Sequence, residues 1–389
     1  IADNKIKFLY PIAVFNPTTK KFTLELEVLL EKPFAVRFGG VFSSSPINTA
    51  FLGLDYFKLR KVGLNVELNS FFGKYYGSIL GSLKLDFNYK FPFSVRFYGI
   101  NNRWDYFKSF ATFFEESKPS FIIENEQFTG ADIIIPVSNF GKLTFGGSYG
   151  ELENNYYQTD NFSPSDTSDL TKLRGTVFSF LYEQSTLNRK QYASEGFNLT
   201  ISGKLFNGLE NTTPGSTSSL SLPAEDVIQQ WWIGKISTQK YFKISKVIQL
   251  GASLEFASIY TPIFLDNYTA TSIISHSFQP IPESKTFFIA EHSTFNYGAG
   301  GIQSVFKIRP NIDLRVEGYY FRPYLAIKSN AFNQAYYEDG LGERSLIGSG
   351  SFVYHSPLGP VSAGINYYSA RENPYSFIIN FGYILFNKR

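Results

Sequence analysis

The 389-residue chain has no cysteine, no methionine, three histidines and only 18% charged residues. Without cysteine there is no disulfide scaffold, no thiolate metal site and no cysteine nucleophile. His276, His292 and His355 share no metal-ligand spacing. They read as surface or loop histidines, and no metal or cofactor is expected. The missing methionine has no physical explanation. Charge is sparse against the roughly 25% of an ordinary globular chain, and a net charge of +3 gives no reason to expect nucleic acid. Long apolar runs are absent too. Mean hydropathy is −0.12, and nothing approaches the ~20 apolar residues of a spanning helix. The chain starts at Ile1 without a basic segment and apolar core ahead of it, so it reads as a mature or excised piece.

What is abundant is aromatic: 41 Phe, 26 Tyr and 3 Trp, too much apolar surface for a disordered chain. The dominant pattern is period two. Leu64, Val66 and Leu68 alternate with Asn65, Glu67 and Asn69; Phe93, Val95 and Phe97 alternate with Ser94 and Arg96. The same holds for Phe197 to Leu205 and for Ile312 to Tyr320. Such alternation means strands with one apolar and one polar face. Sixteen are expected, at about 33–44, 51–59, 61–72, 76–88, 91–105, 120–136, 141–156, 171–186, 196–208, 229–242, 247–261, 294–308, 311–325, 344–355, 360–369 and 376–386. Most exceed the usual 5–6 residues and suit tilted membrane strands of about 9–11. The nearest helix candidate, Glu225 to Trp232, is short.

Connections alternate in length. Those after even strands are mostly short: Arg60-Lys61, Asn88 to Phe91, Ser138 to Gly141, Arg309-Pro310, Ser356 to Gly359. Most after odd strands are long and polar: Tyr106 to Pro119, Tyr157 to Leu170, Leu209 to Ile228, Pro262 to Ser293, Ala326 to Glu343. Short turns on one side and long loops on the other are the asymmetry of a bacterial outer-membrane barrel, with the long loops outside. The fold class expected is therefore all-β, a sixteen-stranded antiparallel transmembrane β-barrel over 33–389 that closes strand 1 on strand 16. Residues 1–32 read as a hairpin, Leu9 to Val14 and Phe22 to Leu30, either part of the barrel wall or, the preferred reading, a remnant of a periplasmic domain.

Three segments then carry a likeness: Gly39-Gly40-Val41-Phe42-Ser43-Ser44-Ser45-Pro46-Ile47-Asn48, Ser356-Pro357-Leu358-Gly359-Pro360, and the ending Asn380-Phe381-Gly382-Tyr383-Ile384-Leu385-Phe386. Over about residues 20–389 the chain resembles the C-terminal barrel of the bacterial surface antigen (BamA/TamA) superfamily. The first segment, with Pro282-Glu283-Ser284-Lys285-Thr286-Phe287-Phe288, most resembles the branch of Bacteroidota fused to patatin-like phospholipases. The resemblance implies that residues 1–32 come from a POTRA-like domain. It implies a barrel that anchors, and helps export, a patatin-like phospholipase whose catalytic domain lies outside this chain. It also implies seam strands carrying Gly39, Gly40 and Gly382, and an assembly signal at Asn380, Gly382, Leu385 and Phe386. The alternatives are a BamA/TamA-like assembly or translocation barrel and a passive pore. Assembly members carry a Val-Arg-Gly-Phe/Tyr motif in the loop after strand 11. Here Pro262 to Ser293 contains no Arg, and the nearest match, Val316-Glu317-Gly318-Tyr319, has Glu at that place and lies on a strand.

No residues in the chain call for catalysis. Gly146-Gly147-Ser148-Tyr149-Gly150 fits the nucleophile-elbow pattern, but an elbow needs a strand-to-helix turn and this run continues an alternating strand. Glu338-Asp339-Gly340 reads as a loop tip. Asn198, Asn211 and Asn267 begin glycosylation triplets that have no meaning in a bacterial envelope. Arg37, Glu67, Lys84, Asp86, Arg96, Lys204, Glu255, Asp313, Arg315 and Glu317 fall on polar faces, which suggests a hydrated, salt-bridged lumen wall. Phe377 and Tyr383 fit aromatic girdles. Expected partners are outer-membrane lipid and lipopolysaccharide, and the outer-membrane assembly machinery during insertion; homo-oligomerisation stays open.

Overall fold

The computed structural model describes residues 6–30, 32–43, 48–73, 75–106, 122–159, 161–163, 165–260, 263–264, 267–281, 284, 289–357, 359–371 and 373–382. The barrel strands are β1 (Phe34–Ser43), β2 (Thr49–Lys58), β3 (Val62–Gly73), β4 (Tyr76–Phe87), β5 (Phe93–Tyr106), β6 (Ile122–Ser138), β7 (Gly141–Tyr156) and β8 (Asp169–Ser185). They continue with β9 (Phe197–Thr213), β10 (Ala224–Lys243), β11 (Ile248–Tyr260), β12 (Tyr297–Arg309), β13 (Ile312–Pro323), β14 (Ser345–Ser356), β15 (Gly359–Tyr368) and β16 (Tyr375–Phe381). Each pairs antiparallel with its neighbours in sequence, and β16 pairs with β1, so the sheet closes. All sixteen expected strands are present, most within a few residues of their expected bounds.

The barrel is inside out relative to a soluble protein. Phe38, Val66, Phe97, Phe145, Phe178, Leu254, Val316, Phe352 and Ile365 are all exposed on its outer face. Hydrocarbon is the solvent they suit, and closure pairs the backbone groups that lipid cannot satisfy. Above that band the outer face turns polar. On β7 and β8, Tyr149 and Phe178 give way to the Glu151–Arg174 pair at 2.6 Å and the Glu153–Lys172 pair at 2.8 Å. The longest strands therefore carry the wall beyond the membrane, since ~9–11 residues suffice to cross it.

Two boundaries differ from expectation. Residues 209–213 and 224–228 are strand rather than loop, and the helix candidate Glu225 to Trp232 lies within β10. The cause is an inward polar pair, Gln229 Nε2 donating to Glu210 Oε2 at 2.6 Å. It gives buried polar side chains partners within the sheet. The N-terminal hairpin, Ile6–Asn16 with Lys21–Leu30, forms a separate two-stranded sheet, outside the barrel wall.

Candidate functional site: the seam and the lumen

The seam between β1 and β16 closes the wall. Among the described residues only four pairs cross it: Ser43 with Ile378, Phe42 with Ile379, Val41 with Asn380, and Gly40 with Phe381. Sixteen pairs join β8 to β9, and seven join β15 to β16. Gly382 follows Phe381, the last residue of β16. Its φ of +81° is a conformation that glycine adopts freely, and its N–H turns to the Pro360 carbonyl at 2.8 Å. Gly39 and Gly40 lie opposite Phe51 and Ala50 of β2. Asn380 is fully buried and donates to the Gly382 carbonyl at 3.3 Å. Leu385, Phe386 and Tyr383 lie outside the described residues.

The lumen wall is ion-paired. Arg37 reaches Asp55 at 2.6 Å and Glu67 at 2.9 Å; Lys84 pairs with Asp86 at 3.0 Å, Lys235 with Glu255 at 2.7 Å, and Arg96 with Asp132. Asp55, Asp132 and Lys235 complete pairs whose other member the alternation had already placed inside. Glu317 of the Val316-Glu317-Gly318-Tyr319 run lies on β13, not in the loop after β11; it accepts from Arg315 at 2.8 Å and from the Tyr319 hydroxyl at 2.7 Å. Ser148 faces the lumen beside Tyr98, in the middle of β7 and with no helix after it, so it sits in no elbow. Gly340, at φ +86°, makes a turn of the Glu338 loop. Among the described residues no group of three or more His, Asp or Glu could hold a metal.

Of the segment between β11 and β12, the described residues fold inward. Helix α1 (Tyr268–Ile274) is capped by Asn267, whose side chain accepts from the Ala270 N–H at 3.1 Å and donates to the Tyr156 hydroxyl at 3.0 Å. Asn267, read in sequence only as a glycosylation triplet, is thus a cap and a tether to β7. Phe264, Ile273, Ile274 and Phe295 pack against Ile122, Leu152, Leu173 and Trp231 of the wall. Phe278, Ile281 and Ile289 pack against Tyr297, Phe321 and Tyr368. At ~1.5–3 kcal/mol for each large apolar side chain buried, this is a core inside a barrel. His292 belongs to it: 2% exposed, beside Phe321 and Tyr368, and held neutral by a pKa lowered by burial to about 4. It is a buried loop histidine, not a surface one. His355, expected at the surface or in a loop, is on β14, its Nε2 2.8 Å from Asp313 in the lumen.

A closed antiparallel barrel of sixteen strands with an apolar outer belt defines the class: a bacterial outer-membrane β-barrel. Among solved structures, BamA from Haemophilus ducreyi lacking POTRA domains 1–3 matches with a TM-score of 0.61 and 12% identity, over 97% of this chain and 75% of that one. CdiB from Acinetobacter baumannii matches with a TM-score of 0.51 and 9% identity, over 96% of this chain and 64% of that one. At these identities the likeness is one of fold: a barrel of the BamA and CdiB kind. No family model matches the sequence, and no curated protein does.

Proposed function

We infer that the chain is a membrane anchor that holds an adjoining patatin-like phospholipase domain at the outer membrane and helps it outward. The observation that carries this reading is the segment between β11 and β12, whose described residues occupy part of the lumen. Apolar and aromatic residues of that segment pack there against the wall, and charges on the wall are paired with one another. A solute pore needs an open path, so this arrangement argues against one. The patatin branch is supported by the sequence segments around Gly39-Gly40 and Pro282 to Phe288. The Ile6–Leu30 hairpin is proposed as the remnant of a POTRA-like periplasmic domain, because it forms its own sheet. Outer-membrane lipid and lipopolysaccharide are the proposed surroundings of the belt, and the assembly machinery its partner during insertion.

The second reading is a BamA/TamA-like assembly or translocation barrel, supported by the likeness of fold to BamA and CdiB. A disulfide across the seam, Phe42→Cys with Ile379→Cys, separates the two in the full-length protein, because these residues face each other in register and the chain has no other cysteine. The anchor reading expects surface display and phospholipase activity to survive locking. Loss of both on oxidation, with recovery on reduction, would transfer the function to the seam. Failure to detect any phospholipase activity in the unlocked full-length protein would sink the patatin assignment itself.

A further inference from the structure

The turn between β8 and β9 is on the side of the short connections, yet it spans Thr186 to Gly196 and enters the lumen. Its neck is closed by its own atoms. Asn188 Oδ1 accepts from the Ser194 and Glu195 N–H groups at 3.1 and 3.2 Å, and the Asn188 N–H donates to the Glu195 carbonyl at 3.1 Å. Thr186 pairs with Phe197 through the backbone at 2.8 Å, and the Thr186 hydroxyl accepts from the Phe197 N–H at 3.0 Å. The neck of the turn is therefore held by its own hydrogen bonds.

Its tip reaches strands far round the barrel. Arg189 Nη1 is 3.3 Å from Asp313 and 3.0 Å from His355 Nε2. Arg315 donates to the Ala193 carbonyl at 2.8 Å, and Lys307 to Glu195 at 2.6 Å. The Tyr192 hydroxyl is 2.7 Å from that of Ser362 and lies by Asn380. Apolar support is small: Leu187 and Ala193 against Tyr241 and Val305. In the register of β15 and β16, Ser362 faces Asn380, and Asn380 in turn faces Val41 across the seam. The tip thus ends one residue pair from the seam.

The geometry points to a strap. We propose that the Thr186–Gly196 turn is a releasable internal strap that closes the periplasmic base of the lumen and steadies β15 and β16 beside the seam. It withdraws as a unit when its polar contacts with β13 to β15 are broken. A segment fixed for good would be seated on apolar packing. This one has a self-bonded neck, and its tip meets the wall mainly through ion pairs and polar hydrogen bonds, which can be exchanged for water. The proposal goes beyond anchoring and does not rest on it.

The test uses the whole chain in lipid vesicles, with Ala193→Cys as reporter, since Ala193 is buried and the chain has no other thiol. Adding Arg189→Ala and Tyr192→Phe should raise the rate of maleimide labelling by about tenfold or more, as two polar contacts are lost. In a separate chain with Arg189→Ala and Tyr192→Phe but without the Ala193→Cys reporter, oxidative cross-linking of Phe42→Cys with Ile379→Cys should fall. Labelling that stays slow in a heat-modifiable, folded double variant would overturn the strap. Faster labelling with an unchanged cross-link yield would overturn its link to the seam. Should the double variant not fold, Tyr192→Phe alone keeps the ring and removes one hydroxyl; its labelling should rise at least about twofold, and no rise overturns the proposal.

Discussion

A side chain added to Gly382 would begin 2.9 Å from the Cα of Gly39, so the end of β16 closes on β1 glycine against glycine. Two constraints meet at Gly382, this approach and the φ of +81°. Gly382→Ala should therefore destabilise the barrel by about 1–3 kcal/mol, visible as a lower denaturant midpoint and a lower yield of heat-modifiable barrel. Gly350 is the control: its added Cβ would meet nothing within 4 Å, and its φ is not positive. Gly350→Ala should be neutral or slightly stabilising. Equal effects of the two substitutions would refute the close-approach account.

The wall was legible in the sequence because a lipid-facing strand must alternate over its whole crossing, and the pattern of Leu64 to Asn69 or Ile312 to Tyr320 has no other reading. The lumen charges were legible by the same parity; Arg37, Glu255 and Arg315 all point inward to partners. What fills the lumen was not. The residues of α1 span two turns, too few for a helical period to declare itself. Tyr192 and Ser362 meet across 170 positions of sequence, which no local pattern encodes. The polar ends of β9 and β10 looked like loop because Glu210 and Gln229 satisfy each other, and a polar pair buried inside a barrel has the same composition as an exposed one.

His292 makes the packed extracellular segment sensitive to acid. Burial lowers its pKa to about 4 from an ordinary 6.5. The neutral ring is thus the form that fits, and protonation favours any state in which the ring leaves. The contribution is full above pH 6.5 and is lost as pH falls through that value toward 4, amounting to about 3 kcal/mol at most. Limited proteolysis of the segment between β11 and β12 should accelerate over this interval. His292→Leu, which cannot titrate, should flatten the dependence. A wild-type profile that is flat from pH 7 to pH 4 would show that the ring is not held neutral by burial.

Labelling on intact cells checks the orientation, but the inward fold of the segment after β11 changes where tags belong. Phe264, Ile273 and Phe295 are buried in the lumen, so a tag among them should be shielded or should disrupt the core. Phe332, between β13 and β14, is 74% exposed, and Leu222, between β9 and β10, is 77% exposed. Cysteines at these two positions should react with an impermeant maleimide on whole cells. A cysteine at Lys246, in the exposed turn between β10 and β11, should react only after the outer membrane is opened. The parity of connections requires this pattern: an even number of antiparallel strands puts 222 and 332 at one end of the barrel and 246 at the other. Reaction of Lys246→Cys on intact cells, with Phe332→Cys and Leu222→Cys silent, would invert the barrel. The strap at Thr186–Gly196 would then face outward, and the polar extensions of β7 and β8 would stand in the periplasm.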